Sequence, residues 1–169
     1  MSPKENIRVL IVDGFSNHDW KATTEKIVSI LDRAGGFDID ISRVPDQDSE
    51  TWCQWLPKFE DYDVVIQNCN NITNDRDWPE PVNMALAEYV KNGGGLHIFH
   101  SANNAFEGWD EYNQMIGLGW RDKDFGAALI VENNKVIRVN AGEGHGTGHG
   151  ELRDILLTRL GDHPIHHGY

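Results

Sequence analysis

The sequence contains few cysteines and few basic residues, and each shortage excludes a class of protein. Cys53 and Cys69 are the two cysteines among 169 residues, too few for a disulfide framework, so we expect two free thiols. Lys and Arg number 15 against 27 Asp and Glu, which gives a formal charge of −12. Because binding to a phosphate backbone needs clustered positive charge, we expect no nucleic-acid partner.

Long hydrophobic runs are also lacking. No stretch reaches the roughly 18 apolar residues that a membrane span needs, so we expect no membrane partner. Residues 1–6 are polar and lack the apolar segment of a secretory signal, which favours the cytoplasm, although a signal already removed would leave the same start. Hydrophobic residues make up 39% of the chain, enough for a packed core, and we predict one domain over residues 1–169.

Apolar runs and helical patterns alternate through the first hundred residues. The predicted strands are Ile7–Val12, Phe37–Val44, Asp63–Gln67 and Leu96–His100. The predicted helices are Trp20–Ala34, a weaker one over Ser49–Phe59, and Pro81–Asn92. This order predicts an α/β fold with a doubly wound, mostly parallel sheet and helices on both faces.

The second half of the chain has shorter patterns. Asn103–Ile116 is predicted to be irregular or helical, and a hairpin is predicted from Leu129–Glu132 and Lys135–Val139 around Asn133-Asn134. Five of the eight histidines follow residue 144, in a C-terminal loop that is also rich in glycine. Such crowding favours a chemical role for the loop.

Small and polar side chains follow three of the predicted strands. They are Asp13, Gly14, Asn17, His18, Asp19 and Trp20; Asn68, Cys69, Asn70 and Asn71; and His100, Ser101, Ala102, Asn103 and Asn104. Ligands of open parallel sheets bind beyond the carboxyl ends of the strands. The sequence therefore predicts a site at this edge. Cys69 has no neighbouring cation to lower its pKa, so we expect an ordinary thiol there.

The fourth strand leads into small residues, an arrangement typical of a nucleophile elbow. His100 or Ser101 would occupy the elbow, and His100 can act as a base, an acid or a metal ligand. His97 lies on the opposite face of the strand, where we expect a core histidine bonded to backbone.

The glycine-rich loop carries His145 and His149. Alternating glycines disfavour a helix but let backbone approach a ligand closely. A divalent metal needs three or four ligands, and His18 and His100 with the loop pair would supply them if all four converge. A flexible linker without a site is the alternative, and we predict no other cofactor.

Three tryptophans, Trp20, Trp109 and Trp120, lie near these polar loops. Indole rings stack on sugar faces, although packing is the favoured explanation for each of the three taken singly. Trp52 and Trp55 lie in the weaker helix and are predicted core residues.

Six ordered motifs resemble those of the ThuA-like, or trehalose-utilisation, family, over about Ile7 to Gly168. They are Gly14 with His18-Asp19-Trp20 and Thr23-Thr24; Gly93–His100; Ala102–Phe106; Asn113–Arg121; His145–His149; and Asp162–Ile165. The resemblance implies the flavodoxin-like fold of class I glutamine amidotransferases. His100 stands where those enzymes carry a cysteine, so the resemblance implies no glutamine hydrolysis.

The family is associated with bacterial carbohydrate metabolism, including trehalose and keto-sugar derivatives. The pocket residues that the resemblance implies are Gly14, His18, Asp19, Trp20, His100, Asn103, Asn104, Trp120, His145 and His149. On this hypothesis His100 and His145 or His149 exchange protons with the sugar. Asn103 and Asn104 orient the sugar, while Asp19 holds one tautomer of His18.

These residues leave three functions open: a sugar-processing hydrolase or isomerase, a non-catalytic carbohydrate-binding module, and a metal-dependent hydrolase. The expected partner is a small carbohydrate in each case, and a homo-oligomer stays open. ThuA-like domains usually continue for several tens of residues beyond Asp162–Ile165, so we expect this chain to be short for the family.

Overall fold

The computed structural model describes residues 5–154, 159 and 161–167. Its chain forms two compact units, one ending at Gly119 and the other beginning at Trp120. We describe each unit separately, and the single domain over residues 1–169 stays a prediction.

The first unit is built on a four-stranded parallel sheet. Its strands are β1 (Ile7–Asp13), β2 (Phe37–Arg43), β3 (Val64–Gln67) and β4 (Gly95–Ile98). The order across the sheet is β2-β1-β3-β4, with every pair parallel. In β1, Ile11 pairs with Ile41 on one side and with Ile66 on the other. The predicted α/β class with a mostly parallel sheet is confirmed.

Three helices accompany this sheet: α1 (Trp20–Ala34), α2 (Glu80–Lys91) and α3 (Asp110–Ile116). Side chains of β1 alternate between two cores, because successive strand residues point to opposite faces. Val9 and Ile11 pack with Ile27 of α1 in one core, whereas the other face packs with residues of α2. Helices therefore cover both faces, as predicted.

The prediction of a weaker helix over Ser49–Phe59 is wrong. Two short 3₁₀ turns, Trp52–Gln54 and Phe59–Asp61, stand in its place. Pro57 explains the break, because it lacks a backbone N–H and pushes the preceding residue toward extended conformations. Trp52 and Trp55 are half-buried against the core of the α2 face, and the indole of Trp55 donates to Ser42 Oγ at 2.9 Å.

Two expectations for the fourth strand are also wrong. The strand ends at Ile98 rather than at His100, although the Phe99 amide still donates to Gln67 O at 3.0 Å. His97 is exposed and not a core residue. It lies on the face that α1 covers, but α1 packs on β1 and β2, two strands away from β4.

The second unit contains the predicted hairpin, formed by β5 (Ala128–Glu132) and β6 (Lys135–Val139). Asn133 and Asn134 adopt φ angles of 50° and 61°, the left-handed values that a two-residue turn requires. Two further 3₁₀ turns span Ala102–Asn104 in the first unit and Pro164–His166 in the second. No helix in the described ranges is long and apolar enough to cross a membrane.

Candidate functional site

Two loops at the carboxyl edge of the sheet carry most of the predicted site. One connects β1 to α1, and the other follows β4 and forms the 3₁₀ turn Ala102–Asn104. The strands that feed them are not neighbours, because β3 lies between β1 and β4.

The structure brings His18 and His100 together from these two loops. Their ring centroids are 5.3 Å apart and the ring planes are inclined by 54°. Both side chains are exposed, so a solute can reach either imidazole. Paired imidazoles at an open edge can take a proton from one position of a ligand and return it at another.

A buried hydrogen-bond network connects the three loops next to this pair. Asn70, which follows β3, donates to Asn17 Oδ1 at 2.7 Å and to Ser101 Oγ at 2.8 Å. Ser101 Oγ also donates to Asn17 Oδ1 at 3.1 Å. Asn70 and Ser101 are almost completely buried. Since Asn17 precedes His18 and Ser101 follows His100, the network positions the backbone of both histidines.

The sequence places all three side chains at strand ends, but of the three only Ser101 was given a candidate role, as the alternative to His100 at the elbow. The hydrophobic pattern of the sequence locates the end of each strand. It does not show that the side-chain amides and the hydroxyl group at three strand ends form hydrogen bonds with one another. The sheet order β1-β3-β4 is the missing information, because it places Asn70 between the other two.

A second buried polar group supports the first loop. Asp13 is 0% exposed and accepts from Thr24 Oγ1 at 2.9 Å and from Arg43 Nε at 3.0 Å. The hydrogen bond from Arg43 to the Asp13 carboxylate, opposed by desolvation, raises the pKa of Arg43 above its usual value. Asn68 donates to Thr24 Oγ1 at 3.1 Å, so β1, β3 and α1 are tied together beneath the loop.

Asp19 and Gly14 have local structural roles that the sequence analysis did not assign. The Asp19 carboxylate accepts from the Ala22 amide at 3.1 Å and so caps the N-terminus of α1. Gly14 has φ of 142°, and an added Cβ would lie 2.9 Å from Val44 O. Their predicted parts in binding and catalysis stay predictions.

Trp20 is half-buried, and its ring is covered on one side by Arg43, whose guanidinium carbon lies 4.8 Å from the ring centroid. Lys21 Nζ lies 5.3 Å from the same centroid. Trp109 stacks on Tyr112 with centroids 5.4 Å apart. These contacts give both tryptophans a packing role, and the predicted part of Trp20 in sugar binding stays a prediction.

Asn103 and Asn104 form the 3₁₀ turn after the histidine and are half-buried. A residue of α3 holds this turn in place, because the hydroxyl of Tyr112 donates a hydrogen bond to Ala102 O at 2.8 Å. Asn104 lines a cleft together with residues of the loop after β3 and of the first turn of α2.

The other predicted site residues lie in the second unit. His145 and His149 are both exposed, and the ring of His149 lies 5.9 Å from that of Trp120. Between the two histidines, Thr147 Oγ1 donates to Arg121 O at 2.7 Å, which gives the glycine-rich loop a defined anchor. The predicted roles of Trp120, His145 and His149 stay predictions.

Cys69 is a buried thiol and not a nucleophile. Its side chain is 0% exposed, and burial raises the pKa of the thiol to about 12. Both cysteines are free, as expected. In the part of the chain that the structure describes, no three His, Cys, Asp or Glu side chains are grouped so as to hold a metal ion.

Comparison with known proteins gives a consistent result. The model of the ThuA family, described as trehalose utilisation, matches residues 8–151. The crystal structure of a ThuA-like protein from Parabacteroides merdae is similar, with a TM-score of 0.75 and 32% sequence identity. The match covers 86% of this chain and 51% of that one, so the chain spans about half the length of this relative. No curated protein matches the sequence.

Proposed function

The chain belongs to the ThuA family of carbohydrate metabolism, and on this premise we propose that it is an enzyme that acts on a sugar or keto-sugar through His18 and His100. The observation that supports this proposal is the approach of the two exposed imidazoles to a centroid distance of 5.3 Å. In this proposal one imidazole takes a proton from the hydroxyl-bearing carbon beside a keto group while the other, protonated, gives its proton to the carbonyl oxygen, which leaves an enediol. The first imidazole then returns a proton to the former carbonyl carbon while the second takes the proton of the other enediol hydroxyl, and the sugar is isomerised.

General acid–base chemistry of this kind contributes roughly 10²–10⁴-fold for each well-placed group. The network of Asn17, Asn70 and Ser101 supports the proposal because it fixes both histidine loops to a third loop. Gly14, Trp20, Asn103 and Asn104 are proposed to bind the sugar. In the second unit, His145 and His149 are proposed as catalytic residues and Trp120 as a sugar-binding residue.

Proton exchange into the sugar tests this mechanism directly. The full chain is incubated in D₂O with a 3-keto-glucoside and, separately, with trehalose, and deuterium incorporation beside the carbonyl is followed by NMR. We expect incorporation with the keto-sugar, and a loss of about 10²-fold or more in His18→Ala and His100→Ala.

His97→Ala is the matched control, because His97 is an exposed histidine on β4, three residues before His100, and outside the pair. It is expected to exchange at the native rate. A native rate in His100→Ala would overturn the role assigned to the pair. Tight sugar binding in calorimetry without any exchange or product would instead support a carbohydrate-binding module.

A further inference from the structure

Trp20, one of the residues proposed to bind the sugar, is in contact with an arginine that has no assigned part in the site. Arg43 is the last residue of β2 and pairs in the sheet with Asp13, the last residue of β1. Trp20 is the first residue of α1, two positions after His18. The pairing of β1 with β2 thus brings an arginine to the loop that carries one of the two imidazoles.

Arg43 is fixed by a buried carboxylate. Its Nε donates to Asp13 Oδ1 at 3.0 Å and its Nη2 donates to Asp13 Oδ2 at 3.1 Å, so the ion pair is bidentate. Asp13 is 0% exposed and also accepts from Thr24 Oγ1 at 2.9 Å. Two parallel hydrogen bonds fix the plane of a guanidinium group as well as its position. The side chain of Arg43 is therefore held in one orientation although it is 56% exposed.

The fixed guanidinium lies over the indole of Trp20. The guanidinium carbon of Arg43 is 4.8 Å from the ring centroid, within the range of a cation–π contact. The backbone of Trp20 is held as well, because its amide donates to His18 O at 2.9 Å and its carbonyl oxygen accepts from Asn68 Nδ2 at 3.3 Å. Ring and backbone of Trp20 are thus both fixed next to His18. Trp20 is half-buried, so part of its ring stays open to a solute.

We propose that Arg43 is a positioning residue that holds the indole of Trp20 as a preformed platform for the sugar ring. This inference rests on the proposed function and adds to it the way in which the sugar is bound. The C–H groups on one face of a sugar ring can pack on an indole. A side chain that is already fixed loses little conformational entropy on binding, whereas one that must first be immobilised weakens binding by about two- to tenfold. Arg43 therefore acts on the affinity for the sugar and not on proton transfer.

Lys21 provides a comparison, because it is a second cation near the same ring. Its Nζ lies 5.3 Å from the Trp20 centroid, but its side chain is exposed, and the buried carboxylate of Asp13 binds Arg43 instead. An exposed lysine keeps much of its rotational freedom and does not hold an indole in place. Positive charge near the ring is thus common to both residues, whereas Asp13 anchors Arg43.

Arg43→Lys and Lys21→Met are the matched variants. Arg43→Lys keeps a positive charge for the buried carboxylate but removes the flat guanidinium group, and Lys21→Met removes the second cation but keeps an unbranched side chain. The rate of deuterium incorporation into the 3-keto-glucoside, measured against its concentration, gives KM and kcat for the full chain. We expect Arg43→Lys to raise KM about two- to tenfold and to leave kcat within about twofold of the native value. Lys21→Met should leave both constants unchanged.

A double-mutant cycle tests whether Arg43 acts through Trp20. Trp20→Ala alone should raise KM at least as much as Arg43→Lys does, and adding Arg43→Lys to Trp20→Ala should raise it no further. A merely structural role of Arg43 would instead lower the folded fraction, and with it kcat, in both backgrounds while KM stays unchanged. Additive effects on KM, an equal rise of KM in Lys21→Met, or a native KM in Arg43→Lys would each overturn the proposal.

Failure of the proposed function has a different signature, namely the absence of deuterium exchange in the native chain. The affinity for the 3-keto-glucoside is then measured by calorimetry. Arg43→Lys should weaken this binding by the same factor, and Trp20→Ala should again suppress the effect of Arg43→Lys. Native affinity in Arg43→Lys, or no sugar binding by the native chain, would overturn the role assigned to Arg43.

Discussion

The side chain of Asn70 donates hydrogen bonds to both Asn17 and Ser101, and in doing so bridges two loops whose strands do not touch. The strand between them, β3, supplies the bridging residue. The pairing of His18 with His100 therefore depends on a loop that contains neither histidine.

Asn70→Ala is expected to remove both donated bonds, and also the bond that Asn70 Oδ1 accepts from the Ile72 amide at 2.9 Å. It leaves the Ser101 hydroxyl with a single partner, Asn17. Leaving buried polar groups unpaired costs about 1–3 kcal/mol each, so the free energy of unfolding should fall by about that amount. Urea denaturation measures it. Asn6→Ala is the control, because Asn6 is exposed and bonds to Asp38 at the surface, and it should change stability by less than about 0.5 kcal/mol.

The network has a second, functional consequence. Because Asn70 acts through the histidine loops, Asn70→Ala should lower sugar turnover more than it lowers sugar affinity. Turnover equal to that of the native chain, in a variant that stays folded, would show that the network does not position the pair.

Gly14→Ala is expected to be destabilising for a reason unrelated to any ligand. The residue has a φ of 142°, and its new Cβ would meet the backbone oxygen of Val44 at 2.9 Å. A residue other than glycine that is held in such a conformation lowers the free energy of unfolding by about 1–3 kcal/mol. Thermal unfolding should show a lower midpoint for this variant, and an unchanged or higher midpoint for Gly108→Ala, whose Cβ would meet open space. Equal midpoints for the two variants would contradict the assigned packing role.

Much of the secondary structure of both units could be predicted because these elements follow from local pattern. The helix over Trp20–Ala34 was predicted to the residue, and Asn133-Asn134 identified the hairpin turn. The candidate site at the carboxyl edge follows from the same kind of pattern and stays a prediction. Parallel strands all end at one edge, so the loops that carry His18 and His100 were expected at that edge, while the convergence of their imidazoles was left open.

The wrong predictions concern features of the fold that depend on the order of the strands in the sheet or on a single side chain. His97 has the alternation of a core residue, but β4 is an edge strand and α1 packs on β1 and β2, and periodicity does not contain that information. The Ser49–Phe59 segment has apolar residues at helical spacing, yet Pro57 breaks it into turns. The cleft that Asn104 lines was not predicted, because its residues come from three separate segments.

The pair of Arg8 and Asp63 predicts how stability changes in acid. The Arg8 guanidinium donates to Asp63 at 3.0 Å and holds the pKa of that carboxyl below its usual value. A depressed pKa in the folded state stabilises the fold above the unfolded pKa, and this contribution is lost as pH falls through the folded pKa. Asp63→Asn should therefore lower the unfolding midpoint at neutral pH, and the difference from the native chain should vanish in strong acid. A difference that stays constant with pH would contradict the sign of this pKa shift.

The two thiols are expected to differ sharply in reactivity. Cys53 is exposed, whereas Cys69 is buried and burial raises the pKa of its thiol to about 12. Because the thiolate is the reactive form, Cys69 should stay inert as pH rises through the range where an exposed thiol ionises. A disulfide reagent should therefore titrate one thiol per native chain and two per chain in concentrated guanidinium. Cys53→Ser should abolish the native reaction and Cys69→Ser should leave it intact, whereas two rapidly reacting thiols in the native chain would show that the core around Cys69 opens to solvent.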